Sequence, residues 1–166
     1  MCSHRRRLQK RLEDFDYSLP GPYWVTISLY NRIPRFGTVD GEGVHLSDAG
    51  QMIEDAWMNM PARFPTIELD THIVMPDHLH ALLTLHDGSK NLPELTLGRV
   101  IGAFKGFTTN QYSRGVRERG WIPYRQYFWI EDYYEHVIRD ERDLVARRLY
   151  IDWNPWRWIA KRENDG

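Results

Sequence analysis

Cysteine is nearly absent from this chain of 166 residues. The only one, Cys2, excludes an internal disulfide framework and a cysteine-rich zinc site. Long apolar runs are missing too. None approaches the ~18 residues that a membrane helix needs, so no spanning segment is expected. The opening stretch MCSHRRRLQKR has no apolar segment behind it, so no secretory signal is expected and a cytoplasmic protein is the default reading. Internal repeats and low-complexity segments are also lacking. What is present, 42% hydrophobic and 27% charged residues, is the balance of one ordinary globular domain that can bury a core without staples.

The net charge of −1 hides an uneven distribution. Residues 1–12 carry five basic side chains (Arg5, Arg6, Arg7, Lys10 and Arg11) and no acid. Residues 13–98 hold four basic groups against 13 acidic, and residues 99–166 hold 13 against 10. Within that last part, 99–127 sets Arg99, Lys105, Arg114, Arg117, Arg119 and Arg125 against Glu118 alone. Such blocks suit a polyanion on one side of the molecule, although solvated faces of globular proteins often carry them as well.

Along the chain, an irregular arm ends at Pro20-Gly21-Pro22. The run YWVTISLY (23–30) then alternates two sets of aromatic and β-branched residues, which predicts a strand. Asp40-Gly41 and Gly43 predict a small hairpin around Val39 and Val44. Ser47 can cap a helix whose apolar residues run from Ala49 to Met60, ended by Pro61 and Pro65. TIELDTHIVM (66–75) and HLHALLTLH (78–86) flank Pro76-Asp77 as a second hairpin. A helix is expected from Thr96 to Tyr112, followed by a basic loop, SRGVRERG, and a strand over Trp121–Ile130. A last helix is expected from Asp140 to Asn154, where Pro155 forces an end or a kink. This order gives an α+β fold: an antiparallel sheet with helices on one face.

Two constellations carry chemistry. His78 and His80, two apart in a strand, stand on one face, while Leu79, Ala81, Leu83 and Leu85 point the other way. Two neutral imidazoles side by side suit a divalent ion, but taken alone the pair is most often structural. Tyr150 and Asn154 are four apart, so on a helix they lie one above the other, on a stripe with Asp143 and Arg147. An interfacial tyrosine and a helix-closing asparagine would satisfy the same pattern. Together the constellations suggest phosphoryl transfer. A phenol is a weak nucleophile at neutral pH and becomes useful when a cation offsets charge on the attacked phosphate.

At VMPDHLHALL (74–83), YYEHVIRDERDL (133–144) and YIDWNPWRW (150–158) the chain resembles the single-tyrosine HUH transposases, and most closely their REP-associated branch. DYSLPGPYWVTISLYNR (16–32) and FGTVDGEGVHLSDAG (36–50) extend the resemblance over residues 5–158. It implies a ferredoxin-like antiparallel sheet with the histidines on a strand and the tyrosine on a neighbouring helix. It also implies His78, His80 and Asn154 as ligands of Mg²⁺ or Mn²⁺, and Tyr150 as the nucleophile that forms a 5′-phosphotyrosine. The implied substrate is single-stranded DNA folded into hairpins, such as repetitive extragenic palindromes. The implied organisation is a basic arm (1–20), one catalytic domain (21–158) and a short tail (159–166), acting as a monomer or homodimer near the nucleoid. Asp77 stands where the family frequently has asparagine, and FWIEDYYEH replaces its commoner tryptophan-glutamine form. The second departure bears on DNA contacts.

In that frame Arg5, Arg6, Arg7, Lys10 and Arg11 would make salt-sensitive phosphate contacts. Lys105, Arg114, Arg117, Arg119 and Arg125, beside Trp121, Tyr124 and Tyr127, would grip unpaired DNA by charge and stacking. Packing accounts equally for those aromatics. Tyr133 and Tyr134 are rival nucleophiles without an amide at helical spacing, and His136 is either a partner of the site or a capping residue. His45, His72 and His86 have no constellation around them, and Asp77 serves at least the Pro-Asp turn. Two other readings compete: a hairpin-binding module without cleavage, and a replication initiator or relaxase with the same histidine geometry. The second is disfavoured by the short chain.

Overall fold

Aromatic and β-branched residues after the Pro20-Gly21-Pro22 break form β1 (Gly21–Ser28), the strand on which the rest assembles. The structure is a computed structural model and describes Asp16, residues 19–88 and residues 95–164. After a short 3-10 turn come β2 (Gly37–Asp40) and β3 (Gly43–Leu46), which among the described residues pair only with each other. Ser47 then caps α1 (Asp48–Met58), its hydroxyl accepting from the Gly50 amide at 3.1 Å, and a single turn, α2 (Met60–Arg63), follows. β4 (Ile67–Met75) and β5 (His78–Leu85) form the hairpin at Pro76-Asp77. α3 (Leu97–Arg119), β6 (Tyr134–Val137), α4 (Glu141–Asp152) and α5 (Asn154–Asn164) complete the chain.

The four main strands lie in the order β4-β5-β1-β6, every neighbour antiparallel. With α1 between β1 and β4, and α3 between β5 and β6, this is the ferredoxin-like split βαββαβ arrangement that the family resemblance implied. Its apolar face is built by Tyr23, Val25 and Ile27 of β1 and Leu79, Ala81 and Leu83 of β5. They bury against Ile53 and Trp57 of α1 and Val100, Ile101 and Phe104 of α3. Each valine, isoleucine, leucine or phenylalanine among them contributes roughly 1.5–3 kcal/mol by leaving water. The helices expected on one face are α1 and α3. The C-terminal pair lies over the other face, where Trp24, Leu82, Ile138 and Ile151 form a smaller cluster.

Four local expectations give way. The basic stretch SRGVRERG is the last part of α3 rather than a loop. Tyr112 and Gly115 continue the buried stripe, and Gly115 is needed because a Cβ there would collide with the Trp121 ring. Gly120, at φ +70°, closes the helix in the left-handed region that suits glycine. Trp121–Ile130 is not a strand. Among the described residues its one ladder contact joins Trp129 to Leu29; Phe128 and Trp129 turn into the core, Trp121 and Tyr124 pack against it, and Tyr127 is exposed. Tyr134–Val137 takes the edge position beside β1. The last helix breaks at Trp153, so Asn154 opens α5 instead of continuing the helix of Tyr150. Residues 159–164, read as tail, are the second half of α5. Among the described residues no helix is long and apolar enough to cross a membrane.

Candidate active site

β1 and β5 run antiparallel with Thr26 opposite His80 and Ser28 opposite His78. Strand alternation sends Leu79 and Ala81 into the core and both imidazoles to the opposite face, among Trp24, Thr26 and Ser28. There the two rings meet edge to face, with their Nε2 atoms 3.0 Å apart. His80 stacks on Trp24 at 5.0 Å, and its Nδ1 lies 2.7 Å from the Thr26 hydroxyl. Nδ1 of His78 lies against the Asp77 carboxylate, whose other oxygen pairs with Arg32 at 2.9 Å.

Burial dominates the electrostatics of the pair. It lowers the pKa of His78, opposed by Asp77, and it lowers that of His80 much further, helped by the charges of His78, Arg32 and Arg157. Both rings are therefore neutral near pH 7, the form that offers a nitrogen lone pair to a cation. The spacing fits as well. Two nitrogens at about 2.1 Å from one ion and at right angles to each other stand about 3.0 Å apart. Among the described residues no group of three or more His, Cys, Asp or Glu side chains converges as a metal centre. A set of two imidazoles and an amide is not of that type.

α4 brings Tyr150 to this point. Its ring is edge-on to His80 at 5.3 Å and to Trp24 at 5.3 Å, and the Arg157 guanidinium lies over it at 4.5 Å. The placement has a traceable cause. Asp140 caps α4, accepting from the Asp143 amide at 2.8 Å, and Asp143 in the first turn pairs with His136 of β6 at 2.7 Å. Arg148 grips Asp70 of β4 at 2.6 Å. The helix is thus tied to both edge strands, with the tyrosine over the centre. His136 is a docking residue for α4. Asp143 and Arg147 serve the same fixing, since Arg147 reaches Asp143 at 3.5 Å and covers Trp24 at 5.5 Å. Asn154 is buried at the start of α5, just past the break.

The structure thus brings Tyr150 together with His78 and His80. The basic arm, with Arg5, Arg6, Arg7, Lys10 and Arg11, falls outside the described residues. Lys105 has another task than a phosphate contact: its ammonium donates to the backbone carbonyls of residues 130, 131 and 132 at 2.8–3.0 Å. Arg114 is held by Glu118 one helical turn away, Arg119 lies over Trp121, and Arg117 and Arg125 are exposed. Tyr133 sits under the Lys105 ammonium, and Tyr134 packs against the small cluster around Trp24. Sequence reasoning missed Trp24, Thr26, Arg32 and Arg157, and assigned Asp77 no task beyond the turn. Trp24 and Thr26 belong to the second set of the alternating run YWVTISLY. Knowing which strand pairs with which would have put them beside the histidines.

No protein-family model matches the chain. An uncharacterized protein of Haemophilus influenzae is 30% identical over 171 residues, spanning 93% of this chain and 90% of its own length, so the two belong to one family. A second protein of that organism, described as a REP-associated tyrosine transposase, is 27% identical over 143 residues, which cover 84% of this chain and 73% of the relative. Among solved structures, a REP-associated tyrosine transposase bound to a REP hairpin superposes with a TM-score of 0.63 at 22% identity, over 87% of this chain and 73% of that one. A protein described as a transposase from Deinococcus radiodurans gives 0.51 at 17% identity, over 86% of this chain and 95% of its own.

Proposed function

We propose that this chain, a relative of the REP-associated tyrosine transposases with their fold, is a transposase-type enzyme that binds DNA hairpins and cuts and rejoins the adjoining single strand. The observation that carries the reading is the meeting of Tyr150 with two buried, neutral imidazoles from a different element of the fold. A structural tyrosine needs no such neighbours.

In this reading the Tyr150 oxygen attacks the phosphorus of a DNA phosphodiester. A bond forms between that oxygen and phosphorus, and the bond from phosphorus to the 3′ oxygen breaks. The phenol gives up its proton, the leaving 3′ oxygen takes one, and a 5′-phosphotyrosine remains. Attack by a 3′-hydroxyl on that link reverses the step, so rejoining requires neither ATP nor water. His78, His80 and Asn154 would hold Mg²⁺ or Mn²⁺, which when bound offsets negative charge on the phosphate. Trp24 fixes the His80 ring by stacking, and Arg157 adds a guanidinium beside the nucleophile where the phosphate must lie. Arg114, Arg117, Arg119 and Arg125 supply a basic surface for the DNA backbone, and Arg5, Arg6, Arg7, Lys10 and Arg11 a second one.

The test is a labelled hairpin oligonucleotide with a single-stranded flank, incubated with Mn²⁺ and run on a denaturing gel. The wild type yields a slower, covalent band, and Tyr150→Phe yields none while still shifting the hairpin in a native gel. An equal band from Tyr150→Phe removes the nucleophile assignment. No band from either protein, with binding intact, leaves a hairpin-binding module.

A further inference from the structure

Each imidazole of the pair has to choose where its single proton sits. With the Nε2 atoms 3.0 Å apart, a proton on either one makes the rings satisfy each other and leaves no lone pair for a ligand. With both protons on Nδ1, two lone pairs converge on the same space, an arrangement that a cation stabilises and that the groups behind the rings must hold in its absence. The groups behind the rings decide. Asp77 is 3% exposed, and an ionised carboxylate only accepts, so at His78 it favours a protonated Nδ1. Behind His80 stands the Thr26 hydroxyl, directly across the ladder and able to accept from Nδ1.

Asp77 is itself held. Arg32 Nε pairs with Oδ2 at 2.9 Å, and Arg32 is in turn bound to the Ser28 hydroxyl. Arg32 and the preceding Asn31 both adopt left-handed backbone, at φ 54° and 59°, a conformation that non-glycine residues rarely take in succession. The turn around Asp77 is fastened as well, its carbonyl accepting from the Leu29 amide at 2.9 Å. Arg32 Nη2 also lies 3.3 Å from Nδ1 of His78, but it could donate there only if that nitrogen were bare. The carboxylate and the guanidinium make opposite demands on Nδ1. The carboxylate lies much nearer to Nδ1, at 2.5 Å against 3.3 Å for the guanidinium, so the carboxylate prevails.

We propose that Asp77 and Thr26 are positioning residues that keep the protons of His78 and His80 on Nδ1, so that both Nε2 lone pairs are turned toward a divalent cation, with Arg32 as the clamp on Asp77. The proposal rests on the reading of His78 and His80 as metal ligands. It gives Asp77 a task that the turn alone does not require, since any residue able to follow Pro76 would serve there.

The test separates the two ideas. Metal-free protein labelled with ¹⁵N at histidine reports the tautomer of each ring by two-bond proton–nitrogen correlation. Free Mn²⁺, measured by electron paramagnetic resonance, reports affinity. In the wild type both rings show a protonated Nδ1 and a bare Nε2. Asp77→Asn keeps an acceptor and retains the tautomer and most of the affinity. Asp77→Ala moves the His78 proton toward Nε2 and weakens Mn²⁺ about 10–100-fold. Thr26→Val, nearly isosteric, does the same at His80, and it carries the test should Asp77→Ala fail to fold. Wild-type rings protonated at Nε2, or alanine and valine variants with unchanged tautomer and affinity, overturn the proposal. Mn²⁺ binding by His78→Ala equal to the wild type overturns the metal reading instead, while the tautomer spectra still judge Asp77 and Thr26.

Discussion

The two faces of the sheet use the same strands for opposite ends. On one, β1 and β5 contribute Val25, Ile27, Leu79 and Ala81 to a dry core under α1 and α3. On the other, one residue along, they contribute Thr26, Ser28, His78 and His80 beneath α4. The first face is held by area removed from water. The second adds to its smaller apolar cluster a set of specific contacts, namely the stack of Trp24 on His80, the His136–Asp143 pair and the Arg148–Asp70 pair. The apolar face supplies enough stability for the other to keep buried imidazoles that contribute little to it.

That division can be tested by substitutions that act on one face alone. The largest effect belongs to the core. Phe104→Ala, which empties the space between Trp57 and Trp129, should cost about 3–5 kcal/mol in a urea melt. Among molecules still folded, the rate of covalent DNA adduct formation should be unchanged, and a matching fall in that rate would show that the faces are coupled. Arg157→Ala should do the reverse. It removes a charged group next to Tyr150, the proposed nucleophile, worth about 1.5–3 kcal/mol, so adduct formation should slow roughly 10–100-fold with the melt unmoved. Ser47→Ala removes the cap of α1 on the apolar side and should cost ~1 kcal/mol, read in the same melt, with chemistry intact.

The most gradual effect concerns Lys105, which ties α3 to the approach of β6. Burial, partly opposed by Asp132 and Glu131, lowers its pKa from 10.5 to about 8. Between those values the unfolded chain binds more protons than the folded one, so stability rises with pH. The burial cost is fully present below pH 8 and is relieved as pH climbs toward 10.5. Measured against Lys105→Met, the wild-type urea midpoint should climb over that window, and a flat difference would show that the ammonium stays solvated.

Much of this architecture can be read from local patterns. The alternation in YWVTISLY, the Ser47 cap and the Pro76-Asp77 turn each act over a few residues, and each element forms where they place it. The failures have a common physical origin. Gly115 resembles a breaker until Trp121 is seen pressed against it, and Trp121–Ile130 resembles a strand until Phe128 and Trp129 are seen turned into the core. Asn154 sits at helical spacing from Tyr150, yet the chain breaks between them at Trp153. The histidine pair and the tyrosine could be named from spacing and family resemblance. The groups behind the rings could not, because Thr26 and Arg32 reach them only through the pairing of β1 with β5 and the fold of the turn after it.

The facing of Thr26 and His80 across the ladder carries one more consequence. Side chains in a strand obey odd–even parity. A single residue inserted into or deleted from β1 would bring a core valine or isoleucine beneath the rings and send Thr26 into the apolar interior. Length changes are tolerable here only in steps of two, or outside the strands altogether. In this molecule the counting frame of two central strands decides which side chains stand behind the histidine rings.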